Sequence, residues 1–314
     1  MQKTSKIIKK ICIITIIILL ALIILLLGGL NTAKYFIYSD YYSLKTNICK
    51  NPGLGDGFVC QGICADEADN KIFVSGYMKD NSASRIYVTD TDNNSYYVTL
   101  SSNGNEFNGH AGGISLYNDT VYLADNAHLY TFPLKSLTDA ENGGKIDIGS
   151  GISVNNQADF CYADDNYLYI GEFHDGGAYI TNHPYETSDG TYYAIVSRYS
   201  HNDLEHPDKI YSIRNKVQGI CFTPDGKVVL STSYGLTDSV YYVYNESEAV
   251  DSGKTFYDAP VYYLTECIQE IKGPAMAEGL DYYDGKVITL TESASDKYIF
   301  GKFFFANKII GFDI

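Results

Sequence analysis

Glu278 and Glu292 stand at the two ends of one short stretch, 277–293, AEGLDYYDGKVITLTES. Asp159 and Glu172 bracket a corresponding stretch, 156–173, NQADFCYADDNYLYIGEF. Carboxyl groups brought together in a pocket can act as acid and base, or as acid and nucleophile, on either side of a glycosidic bond. These four are the candidate catalytic carboxylates. A carboxylate facing a narrow enclosed space also needs a partner, so Glu278 is hard to dismiss as decoration.

What must position them is a repeat. Its pattern is a polar residue, Gly, an apolar strand, an Asp/Asn/Gly turn, a second apolar strand, then a small or acidic residue. It reads QGICADEADNKIFVSGY from Gln61, HAGGISLYNDTVYLADN from His110 and QGICFTPDGKVVLSTSY from Gln218, with the two stretches above as further copies. Five copies recurring roughly every 45–60 residues predict a propeller, solenoid or array. Tyr, Val, Ile and Thr fill the runs, and Asp, Asn and Gly separate them, which is strand and hairpin chemistry.

Four strands per repeat and a shortened last repeat predict an all-β, five-bladed propeller. The fourth strands of the second and fourth repeats read as 144–154 and 258–266. The fifth blade has only 278–284, 286–293 and 303–314, so a segment ahead of the first blade must close the ring, and 35–44, YFIYSDYYSL, suits that role. A sixth blade hidden in 174–214 is the alternative count.

In such a ring the residues that open each repeat and those that close it meet at one mouth of the axial channel. The openings bring Gln61, His110, Gln157 or Asp159, Gln218 and Glu278; the returns bring Ser75, Asp125, Glu172, Ser233 and Glu292. The insertion 174–191 should overhang that mouth with His174 and His183, which otherwise read as ordinary loop residues. Gln61, His110, Gln157, Gln218, Glu278, Asp125 and His174 are thus the candidate ligand-binding set, because convergent polar groups in a concavity are the default binding site.

The first thirty residues lie outside the repeat. Lys3, Lys6, Lys9 and Lys10 precede an apolar run from Ile11 to Leu30. Twenty helical residues reach roughly 30 Å, the hydrocarbon thickness of a bilayer. The expected division is a cytoplasmic basic tail (1–10), an uncleaved transmembrane signal-anchor (11–30), a stalk with the closing strand (31–56) and the propeller (57–314). The basic flank keeps the N-terminus inside and puts the propeller outside, at a bacterial cell surface.

The net charge of −15 becomes −19 once the four leading lysines are set aside. A field of that sign repels duplexes and argues against nucleic acid as a partner. Six cysteines lie beyond the apolar run, an even number that permits disulfides outside the cell, while Cys64, Cys161 and Cys221 read as small buried apolar residues at matching repeat positions. There is no C-x-x-C, G-x-S-x-G, Walker loop or H-E-x-x-H. DTDNNS from Asp90 lacks the Gly and distal Glu of a calcium hand and reads as a hairpin turn.

The polar-Gly-apolar, strand, Asp-Gly, strand unit resembles the repeats of NHL and SMP-30/gluconolactonase-type propellers over about a third of the chain. In the SMP-30 lactonases the residue before the repeat Gly in several blades is a Glu, Asn or Asp that ligates one divalent cation. Position by position, the resemblance carries that role to Glu278, Gln218 and Gln61. The second blade has Gly112 at that place and the third Ala158, so one carboxylate and two amides replace the family's set. What it implies is a single calcium or magnesium ion and a hydrolase of the lactonase or phosphoester type.

Two function classes follow. One is a membrane-anchored extracytoplasmic propeller that binds a glycan, envelope component or protein at its axial mouth. The other is a hydrolase, either metal-dependent or, more remotely, acting on glycosides through paired carboxyls. Binding is the preferred reading, since no activated nucleophile can be assigned.

Overall fold

A computed structural model describes residues 2–314, with side chains from residue 5 onward. Five antiparallel sheets stand around one axis. Blade I comprises Phe58–Asp66, Lys71–Met78, Arg85–Thr89 and Ser95–Ser102. Blade II comprises Gly113–Tyr117, Thr120–Asp125, His128–Pro133 and Ile152–Ser153. Blade III comprises Phe160–Ala163, Tyr167–Gly171, Ala194–Ser200 and Lys209–Ile213. Blade IV comprises Val217–Phe222, Lys227–Thr232, Ser239–Asn245 and Cys267–Gly273. Blade V takes Ala277–Tyr283, Lys286–Thr291 and Lys308–Phe312 from the C-terminal end, and its outermost strand, Lys45–Lys50, from ahead of blade I.

The first strand of every blade lines the axis and touches the first strand of the next, and blade V touches blade I, so the ring is closed. The repeat glycine makes that approach possible. A Cβ on Gly62 would sit 2.5 Å from the Ile114 nitrogen of blade II, and one on Gly219 would sit 2.9 Å from the Gly279 Cα of blade V. The Asp-Gly turn has its own reason. Asp284 and Gly285 both have positive φ (48° and 74°), the geometry of the tight hairpin turn that matches strand twist.

Closure occurs ten residues later than the sequence suggested. Residues 35–44 are helical: the first helix runs to Ile37 and a short second one, Ser39–Leu44, follows. Tyr38 and Tyr41, three apart and therefore on one helical face, are both buried. Tyr41 stacks toward Tyr241 (6.5 Å between centroids) and meets Phe312 edge-on (5.5 Å). The next six residues then pair antiparallel with Lys308–Phe312.

Two further strands sit elsewhere than expected. Of 144–154, Gly144–Asp147 lies parallel to the outer strand of blade I, and only Ile152–Ser153 completes blade II. Likewise Ala259–Tyr263 lies parallel to the outer strand of blade III, with Val250–Phe256 beyond it, and Cys267–Gly273 completes blade IV. In both cases the excursion between third and fourth strands covers a neighbour's edge, which would otherwise expose unpaired backbone. The segment 174–214 supplies a small hairpin and the outer half of blade III, so there is no sixth blade there. DTDNNS does form the turn between Arg85–Thr89 and Ser95–Ser102, with Asp90 accepting from the Asn94 backbone at 2.8 Å.

The helix Gln2–Ile37 projects from the ring and touches it near its C-terminal end. Its stretch Ser5–Ile37 has a mean hydropathy of 3.4 in its most apolar window, long and apolar enough to cross a membrane.

Candidate functional site at the axial mouth

First strands run away from one face of the ring and second strands return to it, so the residues at those ends meet there. They surround a cavity of about 300 Å³. Gln61, His110, Asp125, Asp159, Gln218, Ser233, Glu278 and Glu292 all line it. The structure thus gathers into one concavity residues spread over more than 200 positions of the chain.

Glu278 is the most deeply set of the acids. It is 3 % exposed, and among the described residues its carboxyl group accepts no hydrogen bond. Burial and the neighbouring Glu292 charge push its pKa well above the ordinary glutamate range. Glu292 is pushed up to about 7 by burial; Tyr298, Lys297 and Gln61 partly offset that. Gln61 donates its amide to Glu292 at 2.9 Å and to the Cys60 carbonyl at 2.8 Å.

Across the cavity, Asp159 accepts the Phe173 backbone N–H at 2.7 Å. Burial outweighs that bond and lifts its pKa to about 7, with Glu172 and Asp125 adding to the rise. Asp125 is held by the Ala111 backbone N–H (2.9 Å) and the Asn126 amide (3.2 Å). His110 opens to the cavity while its ring packs on Tyr77, 4.5 Å between centroids. Desolvation lowers its pKa, so the neutral imidazole is favoured, with one nitrogen to donate and one to accept. Gln218 reaches the Ser233 hydroxyl at 3.4 Å.

Five residues expected at the mouth do not line the cavity: Ser75, Gln157, Glu172, His174 and His183. Glu172, 1 % exposed, is a clamp: it accepts from the backbones of Gln157 (3.3 Å) and Ile195 (3.1 Å) and pairs with His183 at 2.9 Å. The Gln157 side chain is exposed. His174 is buried, accepts the Thr181 backbone N–H at 3.0 Å and stacks on Tyr193, which fixes the insertion. Ser75 is turned inward, donating to the Ala111 carbonyl at 2.8 Å and so tying blade I to blade II. The insertion does overhang the mouth, but through Tyr179 and not through a histidine.

The walls are aromatic, and sequence reasoning passed over them. Tyr77, Phe173 and Tyr234 line the cavity with Tyr179 and Tyr298. Each of the first three directly ends its copy of the repeat: VSGY, IGEF and STSY. Lys297 is the one Lys or Arg among the lining residues; its ammonium donates to the Tyr77 hydroxyl and lies 4.4 Å from that ring.

The divalent site implied by the family resemblance does not fit these residues. Among those described, no three His, Cys, Asp or Glu side chains converge as a metal-binding group. Glu278 lines the cavity with Gln61 and Gln218, but the Gln61 amide is tied to Glu292 and Cys60, and a lysine stands beside the acids. Hard divalent ions favour clustered carboxylate and carbonyl oxygens without a competing ammonium.

No family model matches the chain, that of NHL or SMP-30 proteins included, and no curated protein matches it in sequence. Solved structures do resemble it. A GH43 β-xylosidase/α-arabinofuranosidase from a compost microbial metagenome has 10 % identity over 85 % of this chain and 94 % of its own, with a TM-score of 0.44. The PQQ-bound aldose sugar dehydrogenase of Streptomyces coelicolor has 13 % identity over 78 % and 76 %, with a TM-score of 0.42. Hydrazine synthase of Kuenenia stuttgartiensis has 8 % identity and a TM-score of 0.39; the match covers 74 % of this chain but only 55 % of that one. By its own strand order the chain is a five-bladed β-propeller behind an N-terminal helix long and apolar enough to cross a membrane.

Proposed function

We propose that this is a membrane-anchored, extracytoplasmic propeller whose axial cavity binds a saccharide unit of a cell-surface or envelope glycan. The observation that carries this is the lining: four carboxyl groups, three side-chain amides and one lysine set within walls of Tyr and Phe. A sugar ring offers an apolar face that packs on aromatic rings and hydroxyls that donate to carboxylates and accept from amides and ammonium. At about 300 Å³ the cavity is at the small end for ligand pockets, suited to a terminal unit. The test is calorimetric titration of the full chain in detergent with a panel of envelope oligosaccharides. Tyr77→Ala and Glu278→Ala should each weaken binding about tenfold or more, the effect of losing a buried stacking or charged contact, while Asp225→Ala at the opposite face should not. Binding indifferent to the first two variants would rule out the axial cavity.

A second reading, glycoside hydrolysis, is favoured by one specific feature. Glu278 has no partner among the described residues and lies against Glu292, and both are held toward the protonated form. One could donate a proton to a leaving oxygen while the other, ionised, serves as base or nucleophile. Glu278→Gln would then abolish turnover of a bound oligosaccharide and leave its binding in place. Absence of any reducing-end release by the unaltered chain across the panel would leave binding alone.

A further inference from the structure

The loop that follows the second strand of blade V does two things at once. Lys297 and Tyr298 turn into the cavity, whereas Ile299, Phe300 and Phe303 point outward, 73 %, 67 % and 43 % exposed. Large apolar side chains grouped like this on a soluble face mark a contact with something. Their position says with what. The short 3-10 turn Gly301–Phe304 lies against the N-terminal helix. The Lys34 ammonium is 5.0 Å from the Phe305 ring. Leu27 is the one residue between 5 and 32 that is not exposed, so the helix is sheltered at that level.

The helix leaves the ring from the cavity-bearing face. The Tyr38 hydroxyl donates to Asp238 at 2.7 Å, in the loop between the second and third strands of blade IV; that loop also contributes Ser233, Tyr234 and Gly235 to the cavity. A bilayer core of about 30 Å takes about twenty helical residues, so a span from Ile11 to Leu30 puts residues 31–37 at the headgroups. Lys34, Tyr35 and Phe36 there form the basic and aromatic pattern of a membrane interface.

We infer that Ile299, Phe300 and Phe303 are a second membrane contact, which seats the cavity-bearing face of the propeller on the lipid interface of the bilayer its own helix spans. The inference rests on the anchor reading of that helix. A single helix leaves the propeller free to swing; a second contact beside it holds one orientation, the two-signal logic of stable membrane association. Apolar insertion must supply that contact, because the net negative charge of the exterior part opposes adsorption to an anionic leaflet. The cavity then opens toward the membrane surface.

The chain contains no tryptophan, so single replacements report depth directly. The full chain would be placed in phosphatidylcholine/phosphatidylglycerol nanodiscs, with or without bromine on the acyl chains. Phe300→Trp, or Ile299→Trp if the first does not fold, should be quenched by brominated lipid at least about twofold, the behaviour of an interfacially inserted side chain. Tyr167→Trp, on the opposite face, should be unaffected. Leu20→Trp reports on the helix itself. Quenching at Leu20 without quenching at 299 or 300 overturns the loop contact and leaves the anchor standing. No quenching at Leu20 overturns both.

Discussion

The Gln61 amide donates to the Glu292 carboxylate at 2.9 Å, although 231 residues separate them in the chain. One belongs to the first strand of blade I and the other ends the second strand of blade V. The same seam is closed lower down, where Asp281 accepts the Ala65 backbone N–H at 2.7 Å. Ring closure and assembly of the candidate site are therefore one event. Any change that opens the seam also removes the cavity.

Gly62→Ala tests the seam's neighbour. Its new Cβ would meet backbone atoms of blade II, which cannot rotate away. A loss of roughly 2–3 kcal/mol is expected, the upper part of the range for overpacking. Urea denaturation of the full chain in detergent would read it, and an unchanged midpoint would contradict the close approach of inner strands.

Tyr41→Ala separates a packed segment from a stalk. Tyr41 is 3 % exposed between Tyr241 and Phe312, so truncation should cost about 3–5 kcal/mol, as for other large buried side chains. A merely tethering segment would lose nothing in the same experiment.

Stability should fall as pH rises through neutrality. A carboxyl whose pKa is raised on folding contributes stability that is complete below its unfolded value and is lost as pH climbs through its folded value. Asp159 and Asp281 move from 3.8 to about 7, and Glu292 from 4.5 to about 7. Tm of the full chain is expected to drop between about pH 5 and pH 7.5, and Glu278→Gln should shrink that drop by removing a carboxyl whose own pKa is raised by burial and by Glu292. A Tm flat across this range, or rising, would show that these acids are not desolvated.

Reducing agents should not matter. All six cysteines beyond the helix are free thiols, and five of them are buried. Burial raises the pKa of all six. Dithiothreitol should leave Tm unchanged, and an aromatic disulfide reagent should react rapidly with Cys267 at most among them. A Tm lowered by dithiothreitol would reveal a disulfide.

The sequence by itself settled what depends on local period and on composition. Five hairpins, four of them with a glycine near their start, an apolar run of membrane length and a row of polar residues at equivalent points are visible without coordinates, because each is written within a few tens of residues. Gln61, His110, Asp125, Asp159, Gln218, Glu278 and Glu292 could be grouped from repeat position alone. Only tertiary structure decided which polar residues face the cavity and which serve the scaffold. Glu172 and Glu292 close the third and fifth copies of the repeat at equivalent positions, yet one is enclosed by two backbone amides and His183 while the other meets Glu278. Strand ownership at the outer edges was equally out of reach: Gly144–Asp147 and Ala259–Tyr263 pair with blades they do not follow in sequence. An edge accepts whichever extended segment arrives with its hydrogen bonds unpaired, and that is a property of distances in space, not of the residues that happen to be consecutive.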